Sequence, residues 1–390
     1  MTGASGLSGL RETARFFLKM GLVAFGGPSA HIAMLEDEVV TRRQWMSREH
    51  FLDLVGATNL IPGPNSTEMM MHVGYERHGW VGLATAGTLF VLPAALISGF
   101  GAWLYVRYGS LPELAPLLFG IKPAILAVIL AAVWRLGKSA VKGPGYVVIG
   151  AAVAVAVLLG LNEVVALVLG ALVGTVGLRF RARLQGAAGL VPLLTWAQPT
   201  TAVATAAGAS VAVPVSIGKL ALFFLKVGSI LYGSGYVLVA FIKGGLVDRL
   251  GWLTESQLLD AVAFGQVTPG PVLSTATFIG YLVLGAQGAA VATVAIFLPS
   301  FLFVALLNPW IPRLRQNPVM ASFLDAVNVT AVALMAAVMI QLGVLTLTTG
   351  PAWLIALASA LAVLKWKVAA PWLVLAGGAL GYVFYFLGVA

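Results

Sequence analysis

The chain has 390 residues, of which 60% are hydrophobic and only 9% charged, and its mean hydropathy is +0.97. A soluble domain carries about 25% charged residues, so this composition excludes a water-soluble globule and predicts an integral membrane protein. The absence of cysteine excludes disulfides and thiolate metal sites. The net charge of +9 comes from Lys and Arg clusters between apolar runs, a pattern typical of membrane topology signals rather than of nucleic-acid binding.

The first half of the chain predicts seven helical elements, two of them too short to cross a bilayer. They are a helix at 15–34, short segments at 47–61 and 65–75, and spans at 80–105, 114–136, 146–161 and 163–179. A crossing helix needs about 20 apolar residues. The two short segments meet at Pro62-Gly63-Pro64, so we interpret them as a re-entrant hairpin, which leaves five crossings.

The second half repeats the first at an offset of 207 residues. Between 16–64 and 223–271, 16 of 49 positions are identical without a gap, and they include Lys, Arg, Trp, Asp and Pro residues. We therefore predict an all-α integral membrane protein of two inverted-topology repeats with about five spans each. The first repeat covers 1–183 and the second 216–390. Residues 184–215 form a charge-free linker, with an interfacial helix or an extra span as alternatives.

An odd number of crossings would mount the two repeats in opposite directions across the membrane. Under this topology 15 Lys and Arg residues fall on one face and 5 on the other, with three lysines inside spans. The richer face is then cytoplasmic and both termini lie outside. Arg11 and Arg15 fall on the wrong face for this rule, and they are the weak point of the assignment.

Each Pro-Gly-Pro motif predicts a substrate site, because inverted repeats with broken helices are typical of secondary transporters. Proline and glycine end one helix, and the residues that follow open another whose free N–H groups and positive dipole end suit an anion. Helix capping and a tight loop are the alternative interpretation. The candidates from the two motifs and their surroundings are Asn59, Pro62, Gly63, Pro64, Asn65, Ser66 and Thr67 in the first repeat, and Gln266, Pro269, Gly270, Pro271, Ser274 and Thr275 in the second.

Further candidates lie on the first helix of each repeat. Lys19 and Lys226 occur in the same Phe-Phe-Leu-Lys context, where either attraction of an anion or extension of the side chain to the membrane interface explains a lysine. Small residues that let a backbone approach a ligand are the other group, with close helix packing as the alternative. This group contains Gly26, Gly27, Ser29, Gly233 and Ser234.

Three ionisable residues are candidates for coupling transport to protons: His31, Glu68 and Lys122. Structural roles compete with each of them. No nucleophile, acid–base set or metal-ligand spacing suggests an enzyme, and Leu136-Gly137-Lys138-Ser139 lacks the first glycine of a phosphate loop, which argues against nucleotide binding. We therefore expect neither catalytic residues nor a metal or cofactor.

Several stretches resemble the chromate ion transporter family in its long, two-domain form. The stretches are 25–34 and 57–69 in the first repeat, and 224–228, 233–238, 265–271 and 297–301 in the second. The resemblance implies a multi-pass carrier of the bacterial or archaeal inner membrane that exports chromate and confers chromate resistance. It also implies coupling to protons or exchange with another oxyanion.

The expected partners are a chromate or sulfate-like dianion and the lipid bilayer, with neither nucleic acid nor nucleotide, and a homodimer is an additional expectation. Two alternatives to a chromate carrier stay open. One is a carrier of sulfate or another tetrahedral oxyanion, since charge and shape are shared with chromate. The other is an anion channel with re-entrant pore hairpins.

Overall fold

A computed structural model describes residues 7–185, 214–232, 234–307 and 318–389. Every regular element in these ranges is helical, which confirms the all-α prediction. The first repeat contains α1 (Leu7–Val23), α2 (Pro28–Glu36), α3 (Arg48–Thr58), α4 (Asn65–Tyr108), α5 (Ala115–Ala140), α6 (Pro144–Leu158) and α7 (Glu163–Gln185). The second contains α8 (Ile217–Ile230), α9 (Leu238–Ile242), α10 (Glu255–Val267), α11 (Thr275–Leu307), α12 (Pro318–Thr346), α13 (Gly350–Lys365) and α14 (Ala370–Phe386).

The first apolar segment is a helical hairpin, so the prediction of one helix over 15–34 is wrong. The chain leaves the helical path at Gly26 and Gly27, whose φ angles of 100° and 80° favour glycine. The residues after this break lie back along α1. Glu38 reaches Lys19, with 3.8 Å between Nζ and Oε1, and Arg43 reaches Glu12 at 2.8 Å. The earlier residue of α1 contacts the later residue beyond the break, so the two segments are antiparallel.

A second hairpin forms around the Pro-Gly-Pro motif. At its closed end the Asn65 amide donates to Asn59 Oδ1 over 2.7 Å. At its open end His50 Nε2 lies 3.5 Å from Glu76 Oε2. The helix α3 and the start of α4 are therefore antiparallel neighbours joined by a tip at residues 59–64.

The long helix α4 reverses direction inside its range. At His78 and Gly79 the backbone departs from helical angles, and Gly79 has φ +59°. Beyond this turn Gly82 packs so closely on Gly74 that a methyl group on either would collide with the other backbone. The helix α11 has the same reversal at Leu284 and Gly285. Each of these two helices thus consists of a short arm and a long arm.

The two repeats exchange backbone hydrogen bonds at their hairpin tips. Gly63 in the first Pro-Gly-Pro motif donates its N–H to the Leu231 carbonyl over 2.7 Å, and Gly270 in the second donates to the Ala24 carbonyl over 2.8 Å. Both pairs are related by the 207-residue offset, so the contact is reciprocal. It satisfies the carbonyls left free where α1 and α8 end. This is the contact pattern of a pseudo-two-fold axis.

The long arms of α4 and α11 run in opposite directions against each other. Gly87, early in the first arm, packs on Phe301, late in the second. Tyr105, near the end of the first arm, contacts Phe278 on the short arm of α11, with the rings tilted and their centroids 5.6 Å apart. Its hydroxyl also donates to Asp260 over 2.8 Å. The end of one repeat's long arm is therefore beside the start of the other repeat's hairpin.

Four helices among the described residues are long and apolar enough to cross a membrane: Asn65–Tyr108, Pro112–Ala140, Val272–Leu306 and Val319–Thr346. Shorter apolar helices accompany them. Large apolar side chains such as Leu96, Val344 and Trp372 are exposed on the outside of the bundle, as lipid contact requires. The protein is a multi-pass membrane protein. The linker predicted at 184–215 lies almost wholly outside the described residues, and the domain boundaries stay predictions.

Candidate functional site

A cavity of about 660 Å³ lies where hairpin tips from both repeats meet. The break after α1 contributes Gly26 and Ser29, and the first Pro-Gly-Pro hairpin contributes Asn59 and Asn65. Ser234 comes from the corresponding break in the second repeat. The helices α5 and α12 form the remaining wall. Sequence reasoning predicted these five residues as candidates, and the structure brings them together.

A second cavity of about 380 Å³ lies beside the first. Predicted residues in its lining are Gly26, Gly27, Gln266 and Gly270. The two cavities share Gly26, Arg135 and Tyr236. The tips of the two Pro-Gly-Pro hairpins thus border neighbouring cavities that share part of their lining.

Arg135 and Tyr236 are functional candidates that sequence reasoning missed. The Tyr236 hydroxyl donates to Gln266 Oε1 over 3.0 Å and is itself within reach of the Arg135 guanidinium. The Arg135 Nε also contacts the Ala131 carbonyl at 3.4 Å, one turn earlier on α5. Arginine keeps its charge at any physiological pH and offers five N–H donors. It is the cation that borders both cavities at the hairpin tips.

Two helix N-termini open beside the larger cavity, and neither has a side-chain cap. The helix α2 begins at Pro28 with Gly27 as its N-cap, and α4 begins at Asn65 with Pro64 as its N-cap. Uncapped first-turn N–H groups and the positive end of the helix dipole attract anions. Together with Arg135 they give this region a positive electrostatic character suited to an anionic ligand.

The mouth of the larger cavity carries an ion pair between the repeats. Lys142 follows α5, and its Nζ lies 2.6 Å from Asp325 Oδ1 on α12. The Tyr146 hydroxyl donates to the other carboxylate oxygen over 3.2 Å. This pair joins the two repeats at the exposed edge of the cavity lining.

The tip residues behind the cavities are buried rather than cavity-lining. They are Pro62, Gly63, Pro64, Ser66 and Thr67 in the first repeat, and Pro269, Pro271, Ser274 and Thr275 in the second. The hydroxyls of Thr67 and Ser274 have no hydrogen-bond partner among the described residues. The Thr275 hydroxyl donates to the Val272 carbonyl over 2.8 Å. These positions hold the tips and do not touch the cavity surface.

The structure does not bring the two predicted lysines to either cavity. Lys19 is 63% exposed and pairs with Glu38 on the hairpin it belongs to. Lys226 is exposed at the corresponding position of α8. Both face outward because the buried face of their helices is formed by neighbouring apolar residues such as Phe17 and Phe224.

The remaining candidates have separate positions. His31 is buried under the tip of α2, edge-on to Phe90 with 5.8 Å between ring centroids. Glu68 is fully buried behind the first Pro-Gly-Pro tip. Lys122 interacts electrostatically with Asp260, away from the cavities. Gly233 lies outside the described residues.

Comparison with known proteins identifies the family. The sequence profile described as "Chromate transporter" matches residues 11–175 and again residues 218–382. The chain is 32% identical to the probable chromate transport protein of Synechococcus elongatus, with 92% of this chain and 90% of the relative covered. It is 31% identical to the chromate transport protein of Cupriavidus metallidurans, with coverage of 95% and 92%. It is 33% identical to that of Pseudomonas aeruginosa, with coverage of 85% and 80%.

No solved structure matches the chain. The two profile matches together cover most of its length, and each falls on one of the repeats seen in the sequence and in the hairpin tips. The chain therefore belongs to the chromate transporter family, a family of transporters rather than enzymes, and it contains two copies of the family domain.

Proposed function

We propose that this protein is a secondary carrier that exports chromate across the inner membrane and thereby confers chromate resistance. The names of the relatives support chromate as the substrate. The observation that carries the proposal is the cavity at which Arg135, two uncapped helix N-termini and tips from both repeats meet. Such a site provides positive charge and N–H donors for a tetrahedral dianion.

We further propose that the two repeats have inverted topology. The opposite directions of the α4 and α11 long arms support this, as does the contact between Tyr105 and Asp260. In this topology the α1–α2 and α3–α4 hairpins enter from one face and return to it. Four helices of each repeat then cross: the long arm of α4 with α5, α6 and α7, and their counterparts. Because the first apolar segment is a hairpin that does not cross the membrane, each repeat has four crossings instead of the five predicted from the sequence.

Four crossings return each repeat to the face where it began. In an inverted arrangement the second repeat begins on the opposite face, and the residues that connect the two repeats, 186–213, lie outside the described residues. The amino terminus would face the cytoplasm and the carboxyl terminus the outside.

The distribution of basic residues supports this topology. Sixteen Lys and Arg residues fall on the proposed cytoplasmic face and four on the other. The cytoplasmic set is Arg11, Arg15, Arg42, Arg43, Arg48, Arg77, Arg135, Lys138, Lys142, Arg179, Arg181, Arg183, Arg313, Arg315, Lys365 and Lys367. The opposite set is Arg107, Lys219, Lys243 and Arg249. Arg11 and Arg15 now obey the positive-inside rule, which they violated under five crossings.

Within this proposal Arg135 binds the dianion from the α5 side, and Tyr236 and Gln266 fix the direction of its guanidinium. The N–H groups that begin α2 and α4 contact other oxygens of the same ion. Because hairpins entering from opposite faces supply the site, small opposite movements of the repeats would expose it to one face and then to the other. The cavity mouth at Lys142 faces the proposed cytoplasmic side.

The test is flux of chromate and of sulfate into liposomes that contain the purified protein. A carrier gives saturable uptake and counterflow, whereas an anion channel gives conductance that does not saturate at low concentration. Uptake of sulfate at the rate of chromate would instead favour a general oxyanion carrier. Absence of saturable chromate flux would overturn the proposal. The homodimer stays a prediction, which cross-linking in membranes tests.

A further inference from the structure

Glu68 is a buried carboxyl with no Lys or Arg partner among the described residues. Its side chain is completely inaccessible, and a hydroxyl, that of Ser300, lies within reach of its carboxyl. Its carboxyl lies against Gly63, so closely that a β-carbon on this glycine would collide with it. It is thus in contact with the tip whose N–H binds the other repeat at Leu231.

The described groups that surround Glu68 include two hydroxyls and a histidine. From α11 the Ser300 hydroxyl lies beside the carboxyl. From the segment after α8, Tyr232 is near enough to interact with it electrostatically. His72 lies one turn further along α4 on the same face and is also buried. Among the described residues no Lys or Arg forms an ion pair with Glu68. An ionised carboxylate is strongly disfavoured in such surroundings, whereas the neutral acid is tolerated.

The second repeat builds the same tip without a carboxyl. Beyond the Pro-Gly-Pro motif the offset is 206 residues, as the matching reversals at Gly79 and Gly285 show, so Glu68 corresponds to Ser274, a buried hydroxyl with no hydrogen-bond partner among the described residues. Gly270, the counterpart of Gly63, faces the methyl group of Ala94 rather than a polar pair. A tip of this shape therefore does not need an acid. The carboxyl is an asymmetric addition to a symmetric fold, which points to a function other than packing.

The position of Glu68 links it to the cavity. Asn65 lines the cavity and lies three residues before Glu68 on the same helical face. A dianion held at the start of α4 would repel an ionised carboxylate about one helical turn away, whereas it would be compatible with the neutral acid. Binding of the dianion and binding of a proton to Glu68 should therefore favour each other.

We propose that Glu68 is the proton-binding residue of the transport cycle, and that one proton crosses the membrane on its carboxyl together with each chromate. The inference rests on the proposed function. The carboxylate takes up one proton on the face where chromate binds. It releases that proton on the other face after chromate has left, and no other bond changes. One net negative charge leaves the cell in each cycle, so the inside-negative membrane potential drives export although the proton moves against its own gradient.

The experiment compares wild type with Glu68→Gln in liposomes at a series of pH values. Glutamine keeps the size of the side chain and removes the titratable proton. Chromate flux and the accompanying change in internal pH are recorded together, and chromate–chromate exchange is measured without a pH gradient. Glu49→Gln is the matched control, because this acid lies exposed in the first turn of the neighbouring helix α3. Chromate itself takes up a proton near neutral pH. Wild type and variants are therefore compared at the same pH, so that protons carried by chromate contribute equally to each recording.

For wild type we expect protons to move with chromate. We also expect the apparent affinity for chromate to fall by about tenfold per pH unit above the pH at which Glu68 ionises, in addition to the change that chromate protonation itself causes. Glu68→Gln should retain exchange but lose both the proton movement and this extra pH dependence. Glu49→Gln should behave as wild type. A Glu68→Gln protein that still moves protons with chromate overturns the inference.

If Glu68→Gln does not fold, the wild-type recording still decides. Chromate flux without any proton movement in wild type would overturn the role of Glu68 while leaving the chromate carrier intact. Absence of chromate flux would instead refute the proposed function itself.

Discussion

Replacing Gly120 by alanine perturbs the contact that holds α5, and with it Arg135, against the second repeat. A methyl group at this position would collide with the Gly377 carbonyl and the Gly381 backbone on α14. Both partners are backbone atoms, so the two helices must separate. Overpacking of this kind costs about 1–3 kcal/mol. Alanine also favours the helix over glycine by about 0.5–1 kcal/mol, which offsets part of that cost.

Gly137 on the same helix is the matched control. The nearest atom to a methyl group there is in Val332 at 3.7 Å, an ordinary contact. Gly137→Ala should therefore stabilise the protein by about 0.5–1 kcal/mol. Because both variants gain the same helix propensity, their difference isolates the packing term of about 1–3 kcal/mol, which corresponds to a Tm difference of about 2–12 °C in a domain of 150–250 residues.

Thermal unfolding in detergent, followed by tryptophan fluorescence, measures both variants against wild type. Gly120→Ala should melt below wild type and Gly137→Ala at or above it. Chromate flux of Gly120→Ala should fall as well, since displacement of α5 moves Arg135. If Gly120→Ala melts as high as Gly137→Ala, the close packing of α5 on α14 is wrong.

Further predictions concern charged residues. Arg135→Gln should weaken chromate binding by about 10- to 100-fold, because a hydrogen bond to a charged group contributes about 1.5–3 kcal/mol. The KM for chromate flux measures this loss of affinity. An unchanged KM would remove Arg135 from the site. Arg135→Lys should recover part of the affinity, because it keeps the charge and loses the fork of donors. Lys19→Ala and Lys226→Ala should each transport chromate close to the wild-type rate, because neither side chain reaches a cavity; a severe loss in either would restore the sequence-based prediction.

The hairpin at the Pro-Gly-Pro motif was predictable from the sequence because its signals are local. The helix α3 ends at Thr58, three residues before the predicted end at 61 and just ahead of the proline and glycine, and Asn65 begins α4, as the sequence indicates. The break at Gly26 and Gly27 had an equally local signal, a glycine pair followed by a proline that occupies the first position of α2. We interpreted these residues as a ligand contact within a longer helix, and the run of apolar residues on both sides hid the break.

The position of the cations required tertiary information. Arg135 lies near the end of an apolar helix, where the sequence pattern is that of a topology signal, and only the packing of α5 under the tips turns it toward a cavity. Lys19 and Lys226 have matching contexts in both repeats, yet the pattern does not say which face of the helix is buried. The contact between Gly63 and Leu231 joins residues 168 positions apart, and no local signal specifies such a pair.

The orientation of the two repeats is tested most directly by labelling Ser47→Cys and Thr254→Cys. The natural chain has no cysteine, so each variant carries a single thiol. The two residues correspond at the 207-residue offset, both are exposed, and both cap the helix that leads to a Pro-Gly-Pro tip, so their substitutions cost similar stability. With a membrane-impermeant thiol reagent on intact cells, we predict labelling at Thr254→Cys and protection at Ser47→Cys until the membrane is opened. Labelling of both from the same face would contradict the inverted arrangement and the shared cavity built on it.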